Sequence, residues 1–260
     1  MSYTNSSMVS YTKLSPNHSG QRTHSIDRIT PHCVVGQCSI ETLGNIFYPS
    51  SRQASCQYGI GFDGRVGMYV EEKNRSWCSS SNANDQRAVT IECASDTTEP
   101  YAMNATVYET LIKLCTDICK RNGKKKLLWL GDKNTTLNYS PKSDEMVLTV
   151  HRWFANKSCP GNWLYARLGD LAAKVTANLG GSNTPSNNSQ TNTSASYLVR
   201  VSIDDLNIRK GPGTNYARTG KYTGKGVFTI VAESSGQGAS KWGKLKSGVG
   251  WISLDYAKRI

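Results

Sequence analysis

A long polar segment, residues 180–196, limits what this chain can fold into. It reads GGSNTPSNNSQTNTSAS and has no apolar period, so it cannot bury a core. A flexible coil of this composition spans roughly 23 Å on average. The sequence therefore predicts two domains, 1–179 and 197–260, that a flexible linker leaves free to search independently.

Composition and charge narrow the class of protein. The mean hydropathy is −0.49 and 37% of the 260 residues are hydrophobic, which is typical of soluble globular proteins. No stretch approaches the run of about 20 apolar residues that spans a bilayer. The first residues lack the basic start and apolar stretch of a secretory signal. We therefore expect no membrane span and, if export occurs, a route without a signal peptide.

The net charge of +12 predicts a polyanionic partner, which would be nucleic acid, a membrane surface or a bacterial wall rich in phosphate and carboxylate polymers. The sequence has no basic helix with interleaved base-reading side chains, no zinc-finger spacing and no aromatic ribonucleoprotein motif. We therefore expect no nucleic-acid partner, and the wall is the better candidate. The sequence indicates no oligomeric state.

The first domain alternates strand and helix patterns. Two alternating runs flank Asp63-Gly64 and predict a hairpin, and residues 104–121 carry a helical apolar stripe that ends before Gly123. Strands are predicted at 27–36 and 87–93. These elements predict an α/β domain with a mixed sheet flanked by helices.

Three local patterns in the same domain lead to further expectations. Pro31 argues against a central position for its strand unless the strand is bulged. Residues 72–84 read as a loop, residues 1–27 as a polar segment with turns, and 163–179 as one final helix.

Residues 197–260 contain short alternating runs broken by glycines, which predict a small all-β barrel. This part has no histidine, no cysteine and only four carboxylates. We therefore expect it to bind a partner rather than to catalyse a reaction.

Residues 151–161, HRWFANKSCPG, carry the strongest chemical signal. Pro160 indicates a helix start, so Cys159 would face a helix N-terminus, where the dipole favours the thiolate that a metal requires. Taken singly, His151 is a loop histidine and Cys159 a buried thiol. Together with an upstream histidine, they predict a zinc site. His32 lies in a predicted buried strand, where a histidine needs a partner, although in isolation it also fits a hydrogen-bonded core histidine.

Other chemistry-bearing residues leave alternatives open. The eight cysteines all precede residue 160 and, without a signal peptide, are expected to be reduced thiols. Cys115 and Cys119 stand four residues apart on one helical face, which suggests packing in the core. Cys33 and Cys38 lack the second cysteine pair that a structural metal site would need. Glu92 ends an apolar strand and is either a surface residue or a carboxylate with a partner or a task.

The C-terminal part resembles the bacterial SH3-like family. Such modules in wall enzymes bind peptidoglycan, so the resemblance makes Tyr216 and Trp242 candidate binding residues. The matching residues are Leu206-Asn207-Ile208-Arg209, Gly211-Pro212-Gly213, Tyr216, Trp242 and Gly250-Trp251-Ile252.

The first 180 residues resemble the N-acetylmuramoyl-L-alanine amidase type 2 family, which shares its fold with phage amidases and peptidoglycan recognition proteins. An amidase followed by a wall binder resembles a phage endolysin, which implies synthesis in the host cytoplasm and action on the wall after release. The matching residues are Ile29-Thr30-Pro31-His32, Tyr58-Gly59-Ile60-Gly61-Phe62-Asp63-Gly64, Asn84-Asp85, Val89-Thr90-Ile91-Glu92 and the segment from His151 to Gly161.

The resemblance implies a zinc-dependent hydrolase that cleaves the amide between N-acetylmuramic acid and L-alanine. It places Glu92 where some members have a catalytic glutamate and Lys157 where others have a lysine that steadies the oxyanion. Tyr58 lies near a position at which some relatives have an assisting histidine or tyrosine. The implied zinc ligands are His32, His151 and Cys159, which leave a fourth position for water.

The sequence departs from the family pattern at Pro31, directly before the first histidine, and at Cys33, directly after it. Gln57 cannot act as an acid or base.

Two other functions remain open. A recognition protein of the same fold would bind wall fragments without cutting them, but such proteins typically lack the cysteine ligand. A wall cysteine peptidase would need a nucleophilic cysteine activated by histidine, and in the family concerned that cysteine precedes its histidine.

Overall fold

The structure is a computed structural model that describes residues 3–180, 196–214 and 216–260. Its contacts group the chain into two compact units, Met1–Thr184 and Pro185–Ile260. The predicted linker falls almost wholly on residues 181–195, which lie outside the described residues.

The first unit is built on a mixed seven-stranded sheet, in the order β1-β5-β4-β7-β3-β9-β8, with β2 and β6 paired separately. Within the seven-stranded sheet, β4 and β5 form the one antiparallel pair among the described residues, and the separate pair of β2 and β6 is also antiparallel. The mixed α/β class predicted from the sequence is therefore confirmed. The strands are β1 (Val9–Thr12), β2 (His18–Gln21), β3 (Arg28–Cys33), β4 (Tyr58–Ile60), β5 (Val66–Met68), β6 (Asn74–Ser76), β7 (Ala88–Cys93), β8 (Lys126–Leu128) and β9 (Glu145–Leu148).

Six helices accompany this sheet. The predicted long helix is confirmed, because the Asn104 side chain accepts a hydrogen bond from the Val107 N–H at its start and Gly123 follows its end with φ +67°. Its buried stripe packs with β3 and β7 in the main core. The helices are α1 (Ile40–Phe47), α2 (Asn82–Arg87), α3 (Ala105–Arg121), α4 (Lys133–Asn138), α5 (Gly161–Tyr165) and α6 (Leu168–Asn178).

The strand that carries Pro31 lies at the centre of the sheet, contrary to the expectation from proline. Pro31 is in register with Ile91 of β7. On the other side, the ladder to β9 ends where the Thr149 N–H donates to the Ile29 carbonyl. Because residues of a parallel strand alternate between their two neighbours, Pro31 faces the β9 side beyond the last bond. Its missing N–H therefore falls at the point where the ladder to β9 stops.

Several boundaries differ from the sequence expectation. The predicted single helix over 163–179 is two helices, α5 and α6, and Pro160 is the N-cap of α5 rather than its first residue. The predicted loop 72–84 contains β6 and the start of α2, and the polar N-terminal segment contains β1 and β2. These short strands pair with residues far along the chain, as β1 does with β5, so local patterns gave no sign of them.

The second unit is a seven-stranded sheet in the order β12-β11-β15-β14-β13-β10-β16, and each of its described pairs is antiparallel. This confirms a small all-β unit. Its core consists of Val199, Val201, Leu206, Ile208, Ile230, Leu245 and Ile252. The strands are β10 (Tyr197–Val201), β11 (Asn207–Arg209), β12 (Arg218–Tyr222), β13 (Gly226–Gly236), β14 (Ala239–Leu245), β15 (Trp251–Ser253) and β16 (Ala257–Arg259).

Within the described parts of both units, no helix is long and apolar enough to cross a bilayer.

Candidate metal centre

The centre lies at the carboxyl ends of β3 and β7, two neighbouring strands inside the main sheet. His32 and Glu92 are register partners on these parallel strands, so their side chains point to the same face. His32 Nδ1 lies 3.9 Å from Glu92 Oε1, and the side chains are 1% and 16% exposed. The sheet thus places an imidazole and a carboxyl side by side beneath the surface.

The loop after β9 brings the other two predicted ligands to His32. A 3-10 turn, His151–Trp153, starts this loop, and the Arg152 N–H donates to the Cys159 carbonyl at 3.1 Å, which folds the segment back. Cys159 Sγ consequently lies 3.3 Å from His32 Nδ1. The His32 and His151 rings are 5.0 Å apart, centroid to centroid.

One donor atom from each of His32, His151 and Cys159 lies within 4.8 Å of the others. Two imidazoles and one thiolate form a donor set that suits zinc. Ligands at about 2.1 and 2.3 Å from a tetrahedral ion would be roughly 3.6 Å apart, close to the observed separation of Nδ1 and Sγ. The residues present therefore fit a zinc ion.

The protonation of the two histidines also suits ligation. Burial, reinforced by the neighbouring His151, lowers the pKa of His32 to about 3. Burial also lowers the pKa of His151, with a further contribution from the charge of Lys157. Both imidazoles are therefore neutral at pH 7 and carry a lone pair that a metal can use.

The expected effect of a helix dipole on Cys159 is not found. A hydrogen bond with Cys33 and burial raise the pKa of the Cys159 thiol well above its ordinary value. The following helix, α5, has only five residues, so its dipole does little to offset burial. The thiolate at this position thus depends on a bound cation.

Glu92 has the environment of a proton-transfer group. Burial raises the pKa of its carboxyl to about 8, while the charge of Arg52 and a hydrogen bond from Cys78 oppose the shift. Glu92 Oε2 is buried and, among the described residues, has no hydrogen-bond partner. An unpartnered buried carboxyl oxygen beside possible metal ligands makes Glu92 a candidate functional group.

The centre opens into two adjoining cavities. One, of about 500 Å³, is lined by Glu92, His151, Lys157 and Arg52, among others. The second, of about 360 Å³, reaches His32 and Cys159 and shares Lys157 and Arg52 with the first. Lys157 is exposed, so its ammonium group is available to a substrate in this cleft.

Sequence analysis missed two residues of the centre. Cys78 Sγ lies 3.4 Å from His32 Nε2, and Ser80 Oγ lies 3.0 Å from His151 Nε2. Both belong to the serine-rich stretch between β6 and α2, which had only a loop signal. Cys78 also completes a second group of possible metal donors with His32 and Glu92.

The prediction that Tyr58 contacts the substrate is wrong, because Tyr58 lines neither cavity of the cleft. Its ring is fully buried. The Tyr58 hydroxyl donates to Glu72 Oε1 at 2.7 Å and accepts the Ser6 N–H at 2.9 Å. Burial raises the pKa of the phenol above its ordinary value. Tyr58 therefore supports the fold rather than a substrate.

The two binding candidates of the second unit differ in exposure. Tyr216 is 43% exposed, and its ring covers Gly211, where an added Cβ would meet Tyr216 Cδ1 at 2.3 Å. Trp242 is only 3% exposed, although it contributes to the wall of a cavity of about 410 Å³ with Asn207. Tyr216 is thus available as a surface contact, and Trp242 belongs mainly to the interior.

Comparison with known proteins identifies the family. Residues 12–162 match the N-acetylmuramoyl-L-alanine amidase family, and the chain belongs to that family. Family membership supports peptidoglycan amidase activity. A search among curated proteins gave no match.

Solved structures similar to this chain include PlyL, with 14% identity, a TM-score of 0.44 and coverage of 67% of this chain and 98% of the other. The amidase LysC from Clostridium intestinale URNW is 15% identical, with a TM-score of 0.40 and coverage of 67% and 96%. An AmpD derivative is 17% identical, with a TM-score of 0.44 and coverage of 66% and 99%.

Proposed function

We propose that this protein is a zinc-dependent N-acetylmuramoyl-L-alanine amidase that hydrolyses the amide bond between N-acetylmuramic acid and L-alanine in bacterial peptidoglycan. The observation that carries the proposal is the clustering of three donor atoms within 4.8 Å at the base of a cleft, in a chain of the amidase family. The metal ligands would be His32, His151 and Cys159.

Zinc bound there would polarise the scissile carbonyl and lower the pKa of a bound water toward about 7. The protein supplies the proton transfer. Glu92 lines the first cavity, and its Oε2 has no hydrogen-bond partner among the described residues. With the carboxyl ionised, a form that the charge of a bound zinc ion would favour, Glu92 would remove a proton from the attacking water and deliver it to the alanine nitrogen as the amide bond breaks.

Lys157 would stabilise the negative charge that develops on the carbonyl oxygen. Its ammonium group belongs to the same exposed loop as Cys159 and lines both cavities. A cation fixed near a developing oxyanion lowers the barrier because no solvent must reorganise around the new charge.

The second part of the proposal concerns the domains. Residues 1–179 would form the catalytic domain, 180–196 the flexible linker and 197–260 an SH3-like domain that binds the wall. The last segment has 11 Lys and Arg against 4 Asp and Glu, a net charge of +7, which favours a surface of anionic polymers. Tyr216 is its exposed aromatic candidate. Like an endolysin, the protein would be made in the cytoplasm and act on the wall after release.

The reaction is tested by digesting purified peptidoglycan and assaying new N-terminal alanine and new reducing ends in parallel. The amidase releases alanine termini without reducing ends. Reducing ends would identify a glycosidase. Binding without either product would identify a recognition protein, and termini other than alanine would identify a peptidase. Any of these three results contradicts the proposal.

A further inference from the structure

The His32 imidazole lies between two cysteine sulfurs. Cys159 Sγ is 3.3 Å from Nδ1, and Cys78 Sγ is 3.4 Å from Nε2. The ring is 1% exposed, so water does not compete for either nitrogen. A neutral imidazole donates from one ring nitrogen and accepts at the other, and the two sulfurs must therefore play opposite roles.

The surroundings decide which nitrogen carries the proton. Cys159 and His151 complete the proposed metal centre, so the lone pair that faces Cys159 is the one a metal uses. The proton then resides on Nε2 and points to Cys78. Ligating histidines generally donate their second ring N–H to a fixed partner, which sets the tautomer and the ring orientation.

Cys78 is held so that it can serve as this partner. Its backbone N–H donates to Asp85 Oδ2 at 3.1 Å, and the next N–H, of Ser79, donates to Asp85 Oδ1 at 3.2 Å. Asp85 is itself buried in α2. The Cys78 sulfur also lies 3.9 Å from Glu92 Oε1, to which its S–H can donate.

We infer that Cys78 is a positioning residue that accepts the Nε2–H of His32, fixes the tautomer that presents Nδ1 to the metal, and donates its S–H to Glu92. The metal part of this inference rests on the proposed function. The tautomer part also stands without a metal, because a Cys78 S–H that donates to Glu92 Oε1 leaves the sulfur to accept from Nε2–H.

The first test is long-range proton–nitrogen NMR of the histidine rings in the full-length, metal-free protein. His32 is expected as the Nε2–H tautomer in the wild type. Cys78→Ala removes the acceptor and should give a mixture of tautomers, while Cys78→Ser, which keeps an acceptor oxygen, should restore the Nε2–H form. Cys38→Ala is the matched control, because Cys38 is a partly exposed thiol that lines neither cavity.

The second test measures Zn²⁺ affinity by competition with a chromogenic chelator. Cys78→Ala should weaken binding by about 10-fold or more, Cys78→Ser should recover part of the loss, and Cys38→Ala should match the wild type. An Nδ1–H tautomer in the wild type, or a Cys78→Ala variant with an unchanged tautomer, overturns the inference. A protein that binds no zinc yet shows the predicted tautomers would instead contradict the proposed function and leave the role of Cys78 in place.

Discussion

His32 and Glu92 are register partners on adjacent parallel strands, and their side chains approach to 3.9 Å near the carboxyl ends of these strands. One strand supplies a candidate metal ligand and the other a candidate proton carrier. Because both strands are fixed in the interior of the sheet, the spacing between the His32 imidazole and the Glu92 carboxyl does not depend on a loop.

Glu92→Gln should lower kcat by about 10²–10⁴ because the variant cannot move a proton. Zinc content should remain that of the wild type, since Glu92 is not one of the proposed ligands. The measurement pairs the rate of alanine release with metal analysis. Glu71→Gln is the control, because Glu71 pairs with Lys73 outside the cleft. A fully active Glu92→Gln enzyme would remove Glu92 from the mechanism.

The pH dependence of stability should also change in Glu92→Gln. In the metal-free chain the pKa of Glu92 is raised from 4.5 to about 8, so the folded state keeps a proton that the unfolded state releases above about pH 4.5. Wild-type stability relative to the Gln variant therefore falls as pH rises from 4.5 to 8. Denaturant unfolding in EDTA at pH 5 and pH 8 measures this difference. If the difference in unfolding free energy between the wild type and Glu92→Gln is the same at both pH values, the raised pKa is contradicted.

Lys157→Met should lower kcat by about 10²-fold or more if the ammonium group stabilises the oxyanion. Zinc content and the unfolding midpoint should change little, because the Lys157 side chain is exposed. Lys113→Met is the control, since Lys113 is an exposed residue of α3. Equal rates for the two variants would exclude Lys157 from catalysis.

Tyr58→Phe should retain activity and lose stability. The change leaves Glu72 and the Ser6 N–H without the buried phenol hydroxyl, which costs about 1–3 kcal/mol. Chemical denaturation and the wall-digestion rate check the two halves of this prediction. Tyr48→Phe, at a residue 54% exposed, should change neither. A large loss of activity in a stable Tyr58→Phe variant would return Tyr58 to the substrate site.

Much of the core of the fold could be predicted because strong local signals agreed with the tertiary structure. The Asp63-Gly64 turn gave the hairpin of β4 and β5, and the helical apolar stripe of residues 104–121 gave α3. The central placement of β3 could not be predicted, since it depends on Pro31 falling where the β9 ladder stops, after Ile29. That information lies in the pairing of strands more than 100 residues apart.

The residues of the site also fall into those that could be predicted from the sequence and those that could not. His151, Lys157 and Cys159 belong to one short segment, so their proximity was readable from sequence, and the resemblance to a family supplied His32 and Glu92. Cys78 was not predicted because it carries no motif. Its contact with His32 depends on how Asp85 holds the loop before α2, and no spacing rule connects positions 32 and 78.

The most direct test of the central claim is to measure zinc content and alanine release on the same protein samples, before and after chelation. The account predicts about one zinc per chain, loss of metal and activity together in EDTA, and recovery of both on adding Zn²⁺. His32→Ala should behave like the chelated enzyme, and His24→Ala, at an exposed histidine, like the wild type. Full alanine release by a protein without zinc, or by His32→Ala, would contradict the account.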